Sequence, residues 1–234
     1  MREGPLRFEL MFAAPGEITA HTDLRPHDAR LSTDDPAPWV EGGDWDRAST
    51  PIASDRKHVM LMRHLRGGVP WEETGIYRFV SRNLAQRQRL ARGTDRIASF
   101  DGCRSEAEVH ERYRRIDALV ATVRAEGRLR TAWEVAPGPL AQRGGVWVQM
   151  ARDGAFLFGN VGYHRLAVAQ AAGLRRMPVA LTVAHADAVA NGWLERRRAE
   201  RAAVLKELGL DLPPEGIAVH RDALIAHMEA RTRR

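Results

Sequence analysis

The segment from Val146 to Val183 constrains the fold more than any other part of the chain. Residues 146–151 read as a strand, Asp153-Gly154 is a hairpin signal, and Phe156-Leu157-Phe158 reads as the return strand. A loop, Gly159-Asn160-Val161-Gly162, then leads Tyr163, His164 and Arg165 into a helix through Leu166, Val168, Ala169 and Ala172 that stops at Gly173. Residues 177–183 read as a closing strand. The first turn of such a helix has free backbone N–H groups and the positive end of the dipole, so it suits an anion, and Arg165 adds a planar fork matched to phosphate oxygens. Gly162 lets the backbone take a positive φ and come close to a ligand. The competing reading is a plain strand–helix connection whose His164 and Arg165 hydrogen-bond carbonyls.

The rest of the chain is mostly helical. Residues 6–12 read as a strand, and residues 14–56 as loop or loosely packed surface, where Pro38, Trp39 and Trp45 argue for packing against something. Residues 55–66 read as a helix stopped by Gly67-Gly68, and Pro70-Trp71-Glu72-Glu73 as the start of another helix reaching about residue 90. Ser105 with Glu108 predicts a capping box at the head of a helix whose face carries Val109, Tyr113, Ile116, Val120 and Val123 and which Gly127 ends. Residues 131–136 read as a strand, and 187–208 and 221–231 as helices.

Composition limits the chemistry. The chain has 234 residues, enough to bury a core without disulfides, and its one cysteine, Cys103, excludes an intramolecular disulfide framework, a CxxC pair and a zinc ribbon. Basic residues number 36 against 30 acidic, a formal net charge of +6, and only Lys57 and Lys206 are lysines. No apolar run is long enough to span a bilayer and the first residues lack an apolar signal core, so a cytoplasmic location and no membrane partner are expected. There is no Walker A pattern, no G-x-G-x-x-G after a strand and no H-E-x-x-H, and the scattered histidines predict no metal site.

Gly162-Tyr163-His164-Arg165-Leu166-Ala167-Val168-Ala169, followed by Gly173-Leu174 and Met177-Pro178-Val179, resembles the phosphate-binding signature of the ParB/sulfiredoxin superfamily. The segment from Ile116 to Arg130 resembles the family stretch that leads into a strand at the nucleotide site. The likeness covers about residues 109–185. It implies an α+β fold with a small mixed sheet and packed helices, here with an irregular and helical N-terminal portion (1–104), a core (105–185) and two C-terminal helices (186–234). It further implies nucleotide binding, with ATP or CTP and Mg²⁺, and phosphoryl transfer to a small-molecule acceptor, or hydrolysis, as in the family's small-molecule kinases and NTPases. Gly162, Tyr163, His164, Arg165 and Arg130 are the implied nucleotide-binding residues. Two departures stand out. Tyr163 occupies the place of the attacking cysteine of sulfiredoxins, and Tyr163-His164-Arg165 replaces the Glu-Arg-Arg of chromosome-partitioning ParB proteins.

Phosphoryl transfer needs a base and a cation holder. Asp44, Asp46 and Glu72 are the expected catalytic acids, with Glu41 and Glu73 as further candidates, on segments expected to fold back over the loop. Gly43-Asp44-Trp45-Asp46 and Trp71–Tyr77 also resemble segments of uncharacterised ParB-like proteins. The rival reading is a DNA-associated ParB-like regulatory protein without small-molecule catalysis. Its weak, sequence-independent contacts would come from Arg196, Arg197, Arg198 and Arg201 and from the tail Arg231–Arg234, although Glu195 and Glu200 among them suit a solvated helix face.

Overall fold

The computed structural model describes residues 6–22, 39–93, 98–138 and 140–219, together with residues 222, 226, 229 and 230. It is a mixed α+β arrangement built on a seven-stranded sheet. The strands are β1 (Glu9–Ala13), β2 (Ala20–His21), β3 (Val40–Glu41), β4 (Thr50–Pro51), β5 (Trp147–Met150), β6 (Phe156–Phe158) and β7 (Met177–His185). They run in the order β1-β7-β5-β6-β2-β4, and β3 pairs in parallel with the end of β7.

All nine residues of β7 are buried, as a strand with neighbours on both edges and cover on both faces must be. It pairs antiparallel with β1, Glu9 opposite Leu181, and parallel with β5. Period-two alternation in β1 splits the core. Met11 and Ala13 face the main cluster, whereas Leu10 and Phe12 pack with Val204 and Leu205 of helix α8 (Trp193–Glu207). The sheet thus takes strands from both sides of residue 104.

The main cluster is roofed by helices α1 (Arg56–Leu65), α2 (Trp71–Thr74), α3 (Ile76–Ala91), α4 (Glu106–Glu126) and α6 (Tyr163–Ala171). Short helices α5 (Ala132–Val135), α7 (Ala186–Ala190) and α9 (Pro214–Ile217) complete the set. The side chain of Asp55 caps α1 by accepting from the His58 amide. No helix among the described residues is long and apolar enough to cross a membrane.

Four local expectations need correction. The stretch 131–136 is helical, because Thr131 and Glu134 form a reciprocal capping box that satisfies the first amides of α5. The helix expected from residue 70 to about 90 breaks at Gly75 into α2 and α3, and the one expected over 187–208 breaks at Asn191-Gly192 into α7 and α8. Ser105 does cap α4 by accepting from the Glu108 amide, but the Glu108 carboxylate turns to the Arg104 amide instead of closing the box. The helix expected at 221–231 lies largely outside the described residues, as do Pro38 and the tail from Arg231.

Candidate functional site

The hairpin β5–β6 and the loop after it set up the site. The Trp147 amide donates to the Val161 carbonyl and the Gly159 amide to the Trp147 carbonyl, so the loop is stitched back onto the start of β5. Gly162 then turns the chain into α6 with φ of 92°. A Cβ there would meet Val146 Cα at 2.8 Å, so both the dihedral and the close approach demand glycine. No side chain caps α6, and its first turn opens into a cleft of about 850 Å³ between α4 and α6.

Five basic side chains line this cleft, Lys57, Arg112, Arg115, Arg143 and Arg165, against the acids Asp101, Glu108 and Glu111. The acids are already engaged. Glu111 pairs with Arg114 and Arg115, and Glu108 accepts from the Arg104 amide. Asp101 accepts from Lys57 at 2.6 Å and from the Tyr113 hydroxyl at 3.3 Å, and lies 3.2 Å from His164 Nε2.

Two cations have no carboxylate partner among the described residues. Arg143 sits over the Phe8 ring, and Arg165 donates only to the carbonyls of Gly144 and Arg130, at 3.3 and 3.4 Å. Burial lowers the Arg165 pKa with no countering acid, yet a guanidinium keeps its charge. An uncapped helix N-terminus beside a guanidinium that meets only carbonyls concentrates positive potential at the mouth of the cleft.

Beneath it lies a buried polar network. Asp101 and Gly102 occupy the two central positions of a tight turn closed by the paired amides and carbonyls of Phe100 and Cys103. Both have positive φ, 57° and 75°, as an Asp-Gly primed turn requires. Burial works to raise the Asp101 pKa, but the hydrogen bond from His164 and the ammonium of Lys57 outweigh it and hold the carboxyl well below the usual carboxylate range. Burial lowers the His164 pKa and Asp101 only partly offsets this, so the imidazole is neutral. Arg112 Nη2 lies 3.2 Å from His164 Nδ1 and can only donate, which leaves the single ring proton on Nε2, facing Asp101. Cys103 is buried with its Sγ near the carbonyls of Asp101 and Glu108, and burial raises its pKa, so the thiol is not poised as a nucleophile.

Of the residues expected at the site, Gly162, Tyr163, His164 and Arg165 do line one cleft. Tyr163 bonds outward through its hydroxyl to Asp55 and Asn160, and Lys57 lies over its ring. Arg130 contributes its carbonyl to Arg165 while its guanidinium pairs with Glu126. Neither Gly43–Asp46 nor Trp71–Tyr77 lines the cleft. Asp44 and Asp46 are held by Arg152, the latter from side chain and amide together, and Trp45 packs by the His185 ring at the end of β7. Glu41 lies in β3, and its carboxylate accepts from Trp39 Nε1. Glu72 and Glu73 are exposed in the first turn of α2, while Trp71 turns inward to Asp117 and stacks on His64. Asp101, Lys57, Arg112 and Arg143 were not anticipated. The Asp101-Gly102 pair is a recognisable turn signal, but nothing local ties it to residue 164.

The arginine run on α8 is also occupied. Arg198 and Arg201 both bind the buried carboxylate of Glu9, Arg197 bonds Glu200 and the Gly154 carbonyl, and Arg196 stacks on Trp193. Comparison of the chain with protein-family models, with curated proteins and with solved structures returned no match.

Proposed function

We propose that the cleft binds a phosphate-bearing small molecule, with a nucleoside polyphosphate such as ATP or CTP as the best-fitting class. The observation that carries this reading is Arg165, half-buried in the first turn of an uncapped helix, with carbonyls as its only partners among the described residues. A phosphate there would take the free amides of the first turn and the forks of Arg165 and Arg143. About 850 Å³ leaves room for a sugar and base along α4, where Ile116 and Leu119 offer apolar contact. The resemblance of Gly162–Ala169 to the ParB/sulfiredoxin signature points the same way.

The residues present fit Mg²⁺ poorly. That ion is usually held by one or two carboxylates together with substrate phosphates. Asp101 is saturated by Lys57, Tyr113 and His164, Glu111 by two arginines, and no group of three candidate ligands occurs among the described residues. Binding is therefore the function proposed, and no transfer step is assigned.

Isothermal calorimetry with ATP, CTP, GTP and inorganic phosphate tests it. Binding that Arg165→Ala weakens about tenfold or more is the expected result, since a charge-assisted bond contributes roughly 1.5–3 kcal/mol. Heat from none of the four would end the proposal.

A further inference from the structure

Helix α3 carries four arginines, Arg78, Arg82, Arg87 and Arg89, with a fifth, Arg92, just beyond its end, and no acidic residue. It differs in this from α4 and α8, where glutamates pair with the arginines. Arg87 is engaged at the surface, donating to the Ser99 carbonyl and lying over Phe100. The other four are exposed, and among the described residues none of them makes an ion pair or side-chain hydrogen bond. At about 100° per residue, Arg78, Arg82, Arg89 and Arg92 fall within a stripe about 80° wide and about 20 Å long. Ile76, Val80 and Leu84 are buried on the opposite side of the helix. A shallow depression between Arg82 and Arg89, floored by Ala85 and Gln86, lies in the stripe.

Unpaired like charges in a row repel one another, and a helix presenting them is stabilised by a partner bearing regularly spaced anions. We propose that this face of α3 binds the phosphate backbone of duplex DNA without sequence preference. Two observations select that partner. Arginine forks suit phosphate oxygens, and the stripe holds no aromatic ring on which the bases of a single strand could stack. The one large apolar residue exposed nearby, Leu90, lies to the side of the stripe, so no apolar band accompanies the charge as a membrane-surface helix requires. The stripe does not line the cleft at α6, and its role does not depend on what the cleft binds.

Fluorescence anisotropy with a labelled mixed-sequence DNA duplex of about 20 base pairs, titrated between about 50 and about 200 mM salt, tests the proposal. Four phosphate contacts predict a log–log slope of about −3.6, which is roughly a hundredfold loss of affinity over that range. The double variant Arg82→Gln/Arg89→Gln should reduce the slope by about two, and the fourfold Arg→Gln variant should abolish binding. Circular dichroism and the unfolding midpoint should stay unchanged, and Arg→Lys replacements should restore much of the affinity. No binding to the duplex at low salt would overturn the proposal, as would a fourfold variant that binds like the unmodified protein. Loss of binding in Arg165→Ala but not in the α3 variants would place the contact at the cleft and overturn it too. Preference for an RNA duplex, or binding to phosphatidylglycerol vesicles without binding to DNA, would refute the assigned partner.

Discussion

Asp101 Oδ2 lies 3.2 Å from His164 Nε2, and this contact ties the turn before α4 to the first turn of α6. With Lys57 of α1 on the other carboxylate oxygen, one buried acid joins three elements beneath the cleft. Removing it leaves a buried ammonium without its partner. Asp101→Asn should cost about 3–5 kcal/mol at neutral pH, read from urea unfolding. The folded-state pKa is depressed, so the stabilisation is complete above the unfolded value of about 4 and is lost as pH falls below it. The stability gap between the parent and the Asn variant should therefore narrow in acid. A gap that widens as pH drops would contradict the assignment of an ionised Asp101.

Gly162 and Gly144 line the same cleft and should respond differently to alanine. At Gly162 a Cβ would press on Val146 Cα at 2.8 Å and Cγ2 at 2.9 Å, from a dihedral that L-residues rarely adopt. Gly162→Ala should destabilise by about 2 kcal/mol or more and should weaken the proposed nucleotide binding by displacing the first turn of α6. Gly144 has nothing within 4 Å of its added Cβ, so Gly144→Ala should stay within about 0.5 kcal/mol of the parent. Denaturant midpoints for the two variants decide the matter.

Glu9 is 2% exposed and takes both Arg198 and Arg201, which pins α8 to β1. Glu9→Gln should cost about 3 kcal/mol, because Arg201 loses its carboxylate partner and Arg198 keeps only the exposed Glu195. This loss should change little with added salt, since buried pairs are weakly screened. Parallel unfolding curves at low and high ionic strength test both statements.

Cys103 is 1% exposed, and burial raises its pKa. A disulfide-exchange reagent should leave the native protein almost unlabelled and titrate one thiol per chain after unfolding. Rapid native labelling would show that the turn at Asp101 opens readily.

The legible parts of this chain were those whose determinants are neighbours in sequence. The α4 face, the hairpin at Asp153-Gly154 and the loop that starts α6 all rest on residues within a few positions of one another. So does the error at 131–136, where β-favouring side chains concealed a T-x-x-E cap that was present to be read. The cleft's polar floor was illegible for the opposite reason. Lys57, Asp101, Arg112 and His164 come from four separate segments, and only packing of α1 and α4 against α6 brings them together. Asp44 and Asp46 offered acids in the sequence, but Arg152, remote in the chain, claims both.

The pairing of β1 with β7 has a consequence for how the chain is made. Residues 9–13 find their partners only at residues 177–181, so β1 leaves the ribosome long before the strand it pairs with. Local helices such as α4 can form early, whereas sheet closure carries a large loop-closure cost and sets a slow folding step. Until then the apolar edge of β1, with Leu10, Met11 and Phe12, stays open to other chains, and this interval is when the nascent protein most needs a chaperone.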